Sequence, residues 1–141
     1  FVIFQEEALK ELGEFMADTY KNSVAEDEFF QRKYDKFLTR PTLSSVVIAI
    51  CMKRQETERI PEIEEIAAVA CSVQNIHLTA TAYGLGGYWS SGNIAYSQEM
   101  KSYLNLGEKD RCLGLFYIGY PDIDWPRSQR KTLEHKTEWR K

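Results

Sequence analysis

The sequence predicts one α+β or α/β sandwich, with helices packed against a small sheet. Two uninterrupted apolar runs, SVVIAICM (Ser45 to Met52) and CLGLFYIG (Cys112 to Gly119), read as strands buried on both faces. Between them lies a long helical segment that is small or apolar nearly all round. Helices and strands alternate with no internal repeat, which favours layers over a bundle or a solenoid. With 141 residues, 43% of them hydrophobic and 13% aromatic, the chain can build a core as a single domain over residues 1–141 without disulfides or a structural metal.

The elements follow in order. FVIF at the start reads as a buried strand already under way, with no initiating methionine, as though the beginning were missing. From Gln5 to Tyr20, Leu9, Leu12, Met16 and Tyr20 recur every three or four residues among charged ones, the mark of an amphipathic helix. Residues 21–40 are charged with interspersed aromatics and predict a helix lying over the domain or a partner subunit. Arg40-Pro41-Thr42 breaks that pattern before the first long strand. Pro61, followed by Glu62, Glu64 and Glu65, suits the positive end of a helix that runs to about Tyr83, with Gly84 as its left-handed cap. Being apolar nearly all round, that helix is expected at the buried centre. Ser97 caps a short helix through Leu104 that stops near Gly107. Pro121 and Pro126 punctuate the exit from the last strand, and a basic tail begins at Arg127.

A formal net charge of -3 argues against nucleic acid or an anionic membrane as partner. Cys51, Cys71 and Cys112 are odd in number, widely spaced and set in apolar runs, which predicts reduced core thiols in a cytoplasmic protein. No apolar run reaches the roughly 18 residues that span a bilayer.

Most candidate chemistry has a plain structural explanation. Cys71 and His77 are six residues apart on one helix, a rotation of roughly 240 degrees, so they face different ways and read as a core thiol and a satisfied histidine. His135 has no ligand spacing around it, and Asp122 and Asp124 fit a solvated turn. The run RSQRK (Arg127 to Lys131) is either a solvated segment or a phosphate-holding one, since guanidinium offers a forked donor set. The stretch YGLGGYWSSG (Tyr83 to Gly92) also carries two readings. In one, Gly84 caps the helix, Gly86 and Gly87 turn the chain and the aromatics fill the core. In the other, the glycines bring backbone amides close to a planar ligand whose edge needs hydroxyl or amide donors.

Taken together, EEIAAVACSVQNIHLTATAYGLGGYWSSG, then LGLFYIGYP and then RKTLEHKTEW, resemble the carboxy-terminal two-thirds of the FMN-dependent nitroreductase family. The subgroup with a Gly-x-Trp-x-Ser-Gly turn after the central helix is nearest. The resemblance implies an α+β sandwich with a small central, mainly antiparallel sheet between helices. It also implies a homodimer with FMN at each subunit interface, and hydride passing from NAD(P)H through the flavin to a small-molecule acceptor: a nitroaromatic, quinone or enone. On this reading Gly87, Tyr88, Trp89 and Ser90 border the isoalloxazine, and Arg130, with Ser128 or Lys131, reaches the FMN phosphate. Two departures stand out. Relatives carry arginine where this chain has Ser90, and the family's Arg-Arg-Ser motif and Asn-containing Pro-Ser loop would precede Phe1. These departures define a rival reading, a non-catalytic or degenerate flavin-binding homodimer.

Overall fold

Side-chain alternation along two central strands sorts the chain into layers. The computed structural model describes residues 1–124 and 129–140. Its elements are β1 (Val2–Phe4), α1 (Glu7–Ser23), α2 (Gln31–Thr39), β2 (Val46–Met52), α3 (Glu62–Ala82), β3 (Gly86–Ser90), α4 (Asn93–Tyr96), α5 (Gln98–Tyr103) and β4 (Arg111–Gly119). The four strands form one sheet in the order β1-β2-β4-β3, every pair antiparallel. This is the α+β sandwich with a small antiparallel sheet that the sequence resemblance implies.

Val47 and Ala49 of β2, with Cys112, Leu115 and Tyr117 of β4, face a core completed by Leu12 and Met16 of α1 and Met100 of α5. Ile48 and Ile50, with Leu113, Phe116 and Ile118, face the other way against Val69, Val73 and Ile76 of α3. Cys112 and Leu115 share a face although they are three positions apart, with two residues between them, so β4 must contain an extra residue. The register shows where: Ile50 pairs with Gly114 and Cys51 with Cys112, leaving Leu113 unmatched. At this bulge Gly114 takes φ +131, which a residue with a Cβ adopts only under strain. The sequence reads Cys112 to Gly119 as one regular strand; the bulge reverses its inside-outside phase partway along.

Several expectations need correction. β1 is not a buried strand: Phe4 is buried, but Phe1 and Ile3 are exposed because β1 forms an edge of the sheet. The single helix expected over residues 21–40 divides into the last turn of α1, a short turn at Glu26–Glu28, and α2. Gly86 and Gly87 form no turn; they open β3, which pairs with β4 along the sheet's other edge. Cys71 is exposed, so the expectation of three core thiols holds fully only for Cys112, with Cys51 half-buried. These last two lie opposite each other across β2 and β4. A hydrogen bond from the Cys112 thiol draws the Cys51 thiol below its usual range and pushes that of Cys112 upward.

Helix α3 departs most from expectation. It begins after Pro61 and ends at Gly84 (φ +75), as its sequence predicts. It is not buried all round: Glu65, Val73 and Ala80 point inward, while Ile63, Ala67, Cys71, Leu78 and Ala82 are exposed along the opposite face. Its amino-terminal turn is fixed by Glu65, whose Oε2 accepts from Arg54 Nη1 at 2.6 Å and whose Oε1 accepts from the Gln55 amide at 3.2 Å. Arg54 Nη1 also donates to the Ile60 carbonyl at 2.6 Å, and the Arg54 amide donates to Asp110 Oδ1 at 2.9 Å. Both side chains of the Arg54–Glu65 pair are nearly buried, so the pair ties the 53–61 loop to α3 at a point where water screens little.

Two substitutions test these supports. Glu65→Ala leaves the nearly buried Arg54 cation with only the longer, 3.9 Å contact to the Glu58 carboxylate and should lower unfolding free energy by about 3 kcal/mol, read from urea denaturation. Gly114→Ala places a Cβ 2.5 Å from the Ser90 carbonyl oxygen at a positive φ. A loss of about 3 kcal/mol is expected, whereas an unchanged urea midpoint would show that the bulge relaxes freely.

Candidate functional site

The site candidates from the sequence meet on β3, and the pairing of β3 with β4 decides where each one points. Gly87 lies opposite Ile118 and Trp89 opposite Phe116, so both face α3. Tyr88 lies opposite Tyr117 and Ser90 opposite Leu115, so both face α1 and α2. Successive residues of a strand alternate between faces, so these four cannot all border one flat ligand through their side chains. A ligand touching all of them must meet the strand at its backbone edge. That edge is open among the described residues, because β3 pairs only with β4.

On the α3 side, Gly87 is required for packing. A Cβ there would sit 2.7 Å from Phe116 Cζ and 3.1 Å from His77 Cδ2. His77 in turn stands edge-on to the Phe116 ring, with centroids 5.4 Å apart. The histidine therefore belongs to the α3–sheet contact. Trp89 passes over the bulge, so that a Cβ on Gly114 would lie 2.6 Å from its Nε1, yet the residue stays 37% exposed.

A charged cluster occupies the other face. Arg40, between α2 and the buried Pro41, lays its guanidinium over two tyrosines, with Cζ 4.8 Å from the ring centroids of both Tyr88 and Tyr117. Such stacking stabilises a cation by about 0.5–2 kcal/mol, more as water is excluded. Arg40 Nη1 also donates to Ser90 Oγ at 3.3 Å. No carboxylate forms an ion pair with Arg40 among the described residues. Tyr117 is 6% exposed, and its hydroxyl has no hydrogen-bond partner among the described residues. Burial raises the pKa of this phenol and the Arg40 charge offsets part of the rise, so it is a neutral donor at physiological pH. Beside the cluster, a crevice of about 60 Å³ runs between Arg40, Ser90, Ser91 and Asn93. It would hold about two waters, which is too little for a tricyclic ring.

The remaining sequence candidates stand apart. Ser128 lies outside the described residues. Arg130 and Lys131 are exposed, and no hydrogen bond within the described residues joins them to β3. Conversely, sequence reasoning missed Arg40 and Tyr117. Arg40 registered only as a break before Pro41, and Tyr117 as one ring in an apolar strand. Their one signal was a cation set just before a strand without an acidic neighbour.

Known proteins resemble this chain in sequence and fold. A family model described as "Nitroreductase family" matches residues 1–120. The Escherichia coli K12 protein YdjA, whose name assigns it as an NAD(P)H nitroreductase, is 28% identical over 89 residues, covering 63% of this chain and 49% of YdjA. YfhC of Bacillus subtilis 168, assigned likewise, is 29% identical over 85 residues, covering 60% of this chain and 43% of YfhC. This chain thus spans about half the length of the curated relatives it matches. Among solved structures, a nitroreductase-like protein from Bacillus cereus superposes with a TM-score of 0.76 at 27% identity, covering 97% of this chain and 70% of that one. The FMN-dependent nitroreductase NfnB of Mycobacterium smegmatis, solved with NADPH, shares the fold at a TM-score of 0.69 and 13% identity, covering 99% of this chain and 78% of its own. With the match running from the first strand through the last, the chain belongs to the nitroreductase family.

Proposed function

We propose that this chain belongs to an FMN-dependent oxidoreductase that passes hydride from NAD(P)H to a nitroaromatic, quinone or similar small acceptor. The observation that carries this reading is the open edge of β3. It presents Tyr88 and Trp89, 57% and 37% exposed, with Tyr88 beside a guanidinium that forms no ion pair among the described residues. Planar apolar surface next to an unneutralised cation suits a flat, anionic ligand. The donor set therefore fits a flavin mononucleotide, with Gly87, Tyr88, Trp89 and Ser90 at its ring and Ser128, Arg130 and Lys131 as candidates for its phosphate. FMN, when bound, supplies the two-electron exchange between nicotinamide and acceptor. The protein's own share is to place the ring against the β3 edge, to exclude water on the Trp89 side, and to hold fixed donors near developing negative charge.

A homodimer belongs to the same reading. The outer face of α3 exposes Ile63 and Leu78 along with Ala67, Cys71 and Ala82, an apolar stripe of the kind that marks an interface. The crevice at Arg40 is too small for a ring, so the ring needs a second wall, and a second copy of the chain is the proposed source. Adjacent unbridged thiols at Cys51 and Cys112 support a reducing, cytoplasmic setting.

Three measurements test the proposal. The purified protein should take up FMN, show flavin absorbance and oxidise NAD(P)H when given a nitroaromatic. Protein that stays colourless and binds no added FMN would favour the rival reading of a non-catalytic or degenerate homodimer. Trp89→Ala should weaken FMN binding about tenfold, or about 1.4 kcal/mol, measured by flavin fluorescence quenching. Leu78→Asp should convert a dimer into a monomer in size-exclusion chromatography with light scattering and open Cys71 to iodoacetamide. A wild-type protein that runs as a monomer with Cys71 freely alkylated would remove the dimer from the reading.

A further inference from the structure

The bulge in β4 brings two thiols face to face. Ala49 pairs with Leu115 and Ile50 with Gly114, so a regular continuation would set Leu113 opposite Cys51. The extra residue puts Cys112 there instead. Directly opposed residues of an antiparallel pair have Cα atoms about 4.5–5.5 Å apart, within the roughly 4.4–6.8 Å that a disulfide bridges. The two sulfurs are unbridged. Each lies 3.7 Å from a carbonyl oxygen of its own strand, Cys51 Sγ from that of Ala49 and Cys112 Sγ from that of Gly114. Thiols are weak donors, so closing an S–S bond gives up little hydrogen bonding.

The two thiols differ in access. Cys112 is enclosed, at 4% exposed, whereas Cys51 is half-buried on a β2 face whose other core members, Val47 and Ala49, are fully buried. Small apolar fillers would be inert, and that account suffices for Cys112. It does not explain a reachable thiol held below its usual range by a hydrogen bond from a second thiol directly opposite. That arrangement suits an attacking sulfur backed by a resolving one.

We propose that Cys51 and Cys112 form a redox modification site, which hydrogen peroxide converts into a disulfide across β2 and β4. Cys51 Sγ, as the thiolate, attacks one peroxide oxygen. The O–O bond breaks, and the departing hydroxide takes up the proton lost by the thiol, leaving a sulfenic acid and one water. Cys112 Sγ then attacks the sulfenic sulfur. The S–O bond breaks, the leaving hydroxide takes the Cys112 proton, and the S–S bond closes. In sum, two thiols give up two electrons and two protons, and peroxide becomes two waters. A disulfide formed this way is transient in a reducing compartment and responds to oxidant there. The inference is independent of the flavin reading, which uses neither thiol.

The full chain, reduced and then freed of reductant, is treated with a small excess of hydrogen peroxide in native buffer. After alkylation and protease digestion without reductant, mass spectrometry should find the Cys51 peptide joined to the Cys112 peptide, and dithiothreitol should reverse the link. Cys112→Ser should stop oxidation at a Cys51 sulfenic acid that dimedone traps, whereas Cys51→Ser should leave Cys112 unreacted. The same treatment in denaturing urea should scatter the pairing among Cys51, Cys71 and Cys112, because only the fold sets Cys112 opposite Cys51. Equal selectivity in urea overturns the geometric basis of the site. Native protein in which Cys51 and Cys112 both remain alkylatable overturns the proposal, as does a link made through Cys71. Passage of Cys51 to sulfinic acid without bonding to Cys112 overturns it too. The wild-type peptide map decides these outcomes without any variant, so the proposal stays falsifiable if either variant fails to fold.

Discussion

The antiparallel pairing of β3 with β4 is the constraint on which the rest of this site depends. It puts Tyr88 over Tyr117 and Ser90 over Leu115, and so creates the slot that Arg40 enters. The same pairing turns Gly87 and Trp89 toward α3, where a glycine is needed for Phe116 and His77 to approach the strand. A slip of one residue would exchange the two sets and put Gly87 and Trp89 beneath Arg40. The bulge at Gly114 supports this register, since the Ser90 carbonyl and the Trp89 indole both rest where a side chain on residue 114 would lie.

Helix α3 connects the fold to the proposed assembly. Its inner stripe, Val69, Val73 and Ile76, packs on one face of the sheet and completes a core with Ile50 and Phe116. Its outer stripe is exposed among the described residues. An apolar residue buried on association stabilises by about 25 cal/mol per Å² of area removed from water, so both stripes have reason to be buried. The ion pair of Arg54 with Glu65 ties the start of the helix to the 53–61 loop.

The Arg40 cluster joins elements that are distant in sequence. Stacking of the guanidinium over the Tyr88 and Tyr117 rings favours the cation by about 0.5–2 kcal/mol, and its hydrogen bond to Ser90 Oγ ties the junction before β2 to β3.

Much of the architecture was legible in the residue order alone. The runs at residues 45–52 and 112–119 became the two central strands, Pro61 and Gly84 bound the long helix, and the glycine-aromatic stretch marked the candidate site. Local chemistry governs these features: strand propensity, helix capping and the backbone freedom of glycine act over a few residues and can be read there. The split of β3 between two faces, the bulge in β4, the exposed outer side of α3 and the meeting of Arg40 with Tyr88, Ser90 and Tyr117 were not legible. Fifty residues separate Arg40 from Ser90, and their contact exists only because strand register and sheet order bring the two together. Sequence fixes which groups the chain carries, but a contact between distant groups is set by how whole elements pack.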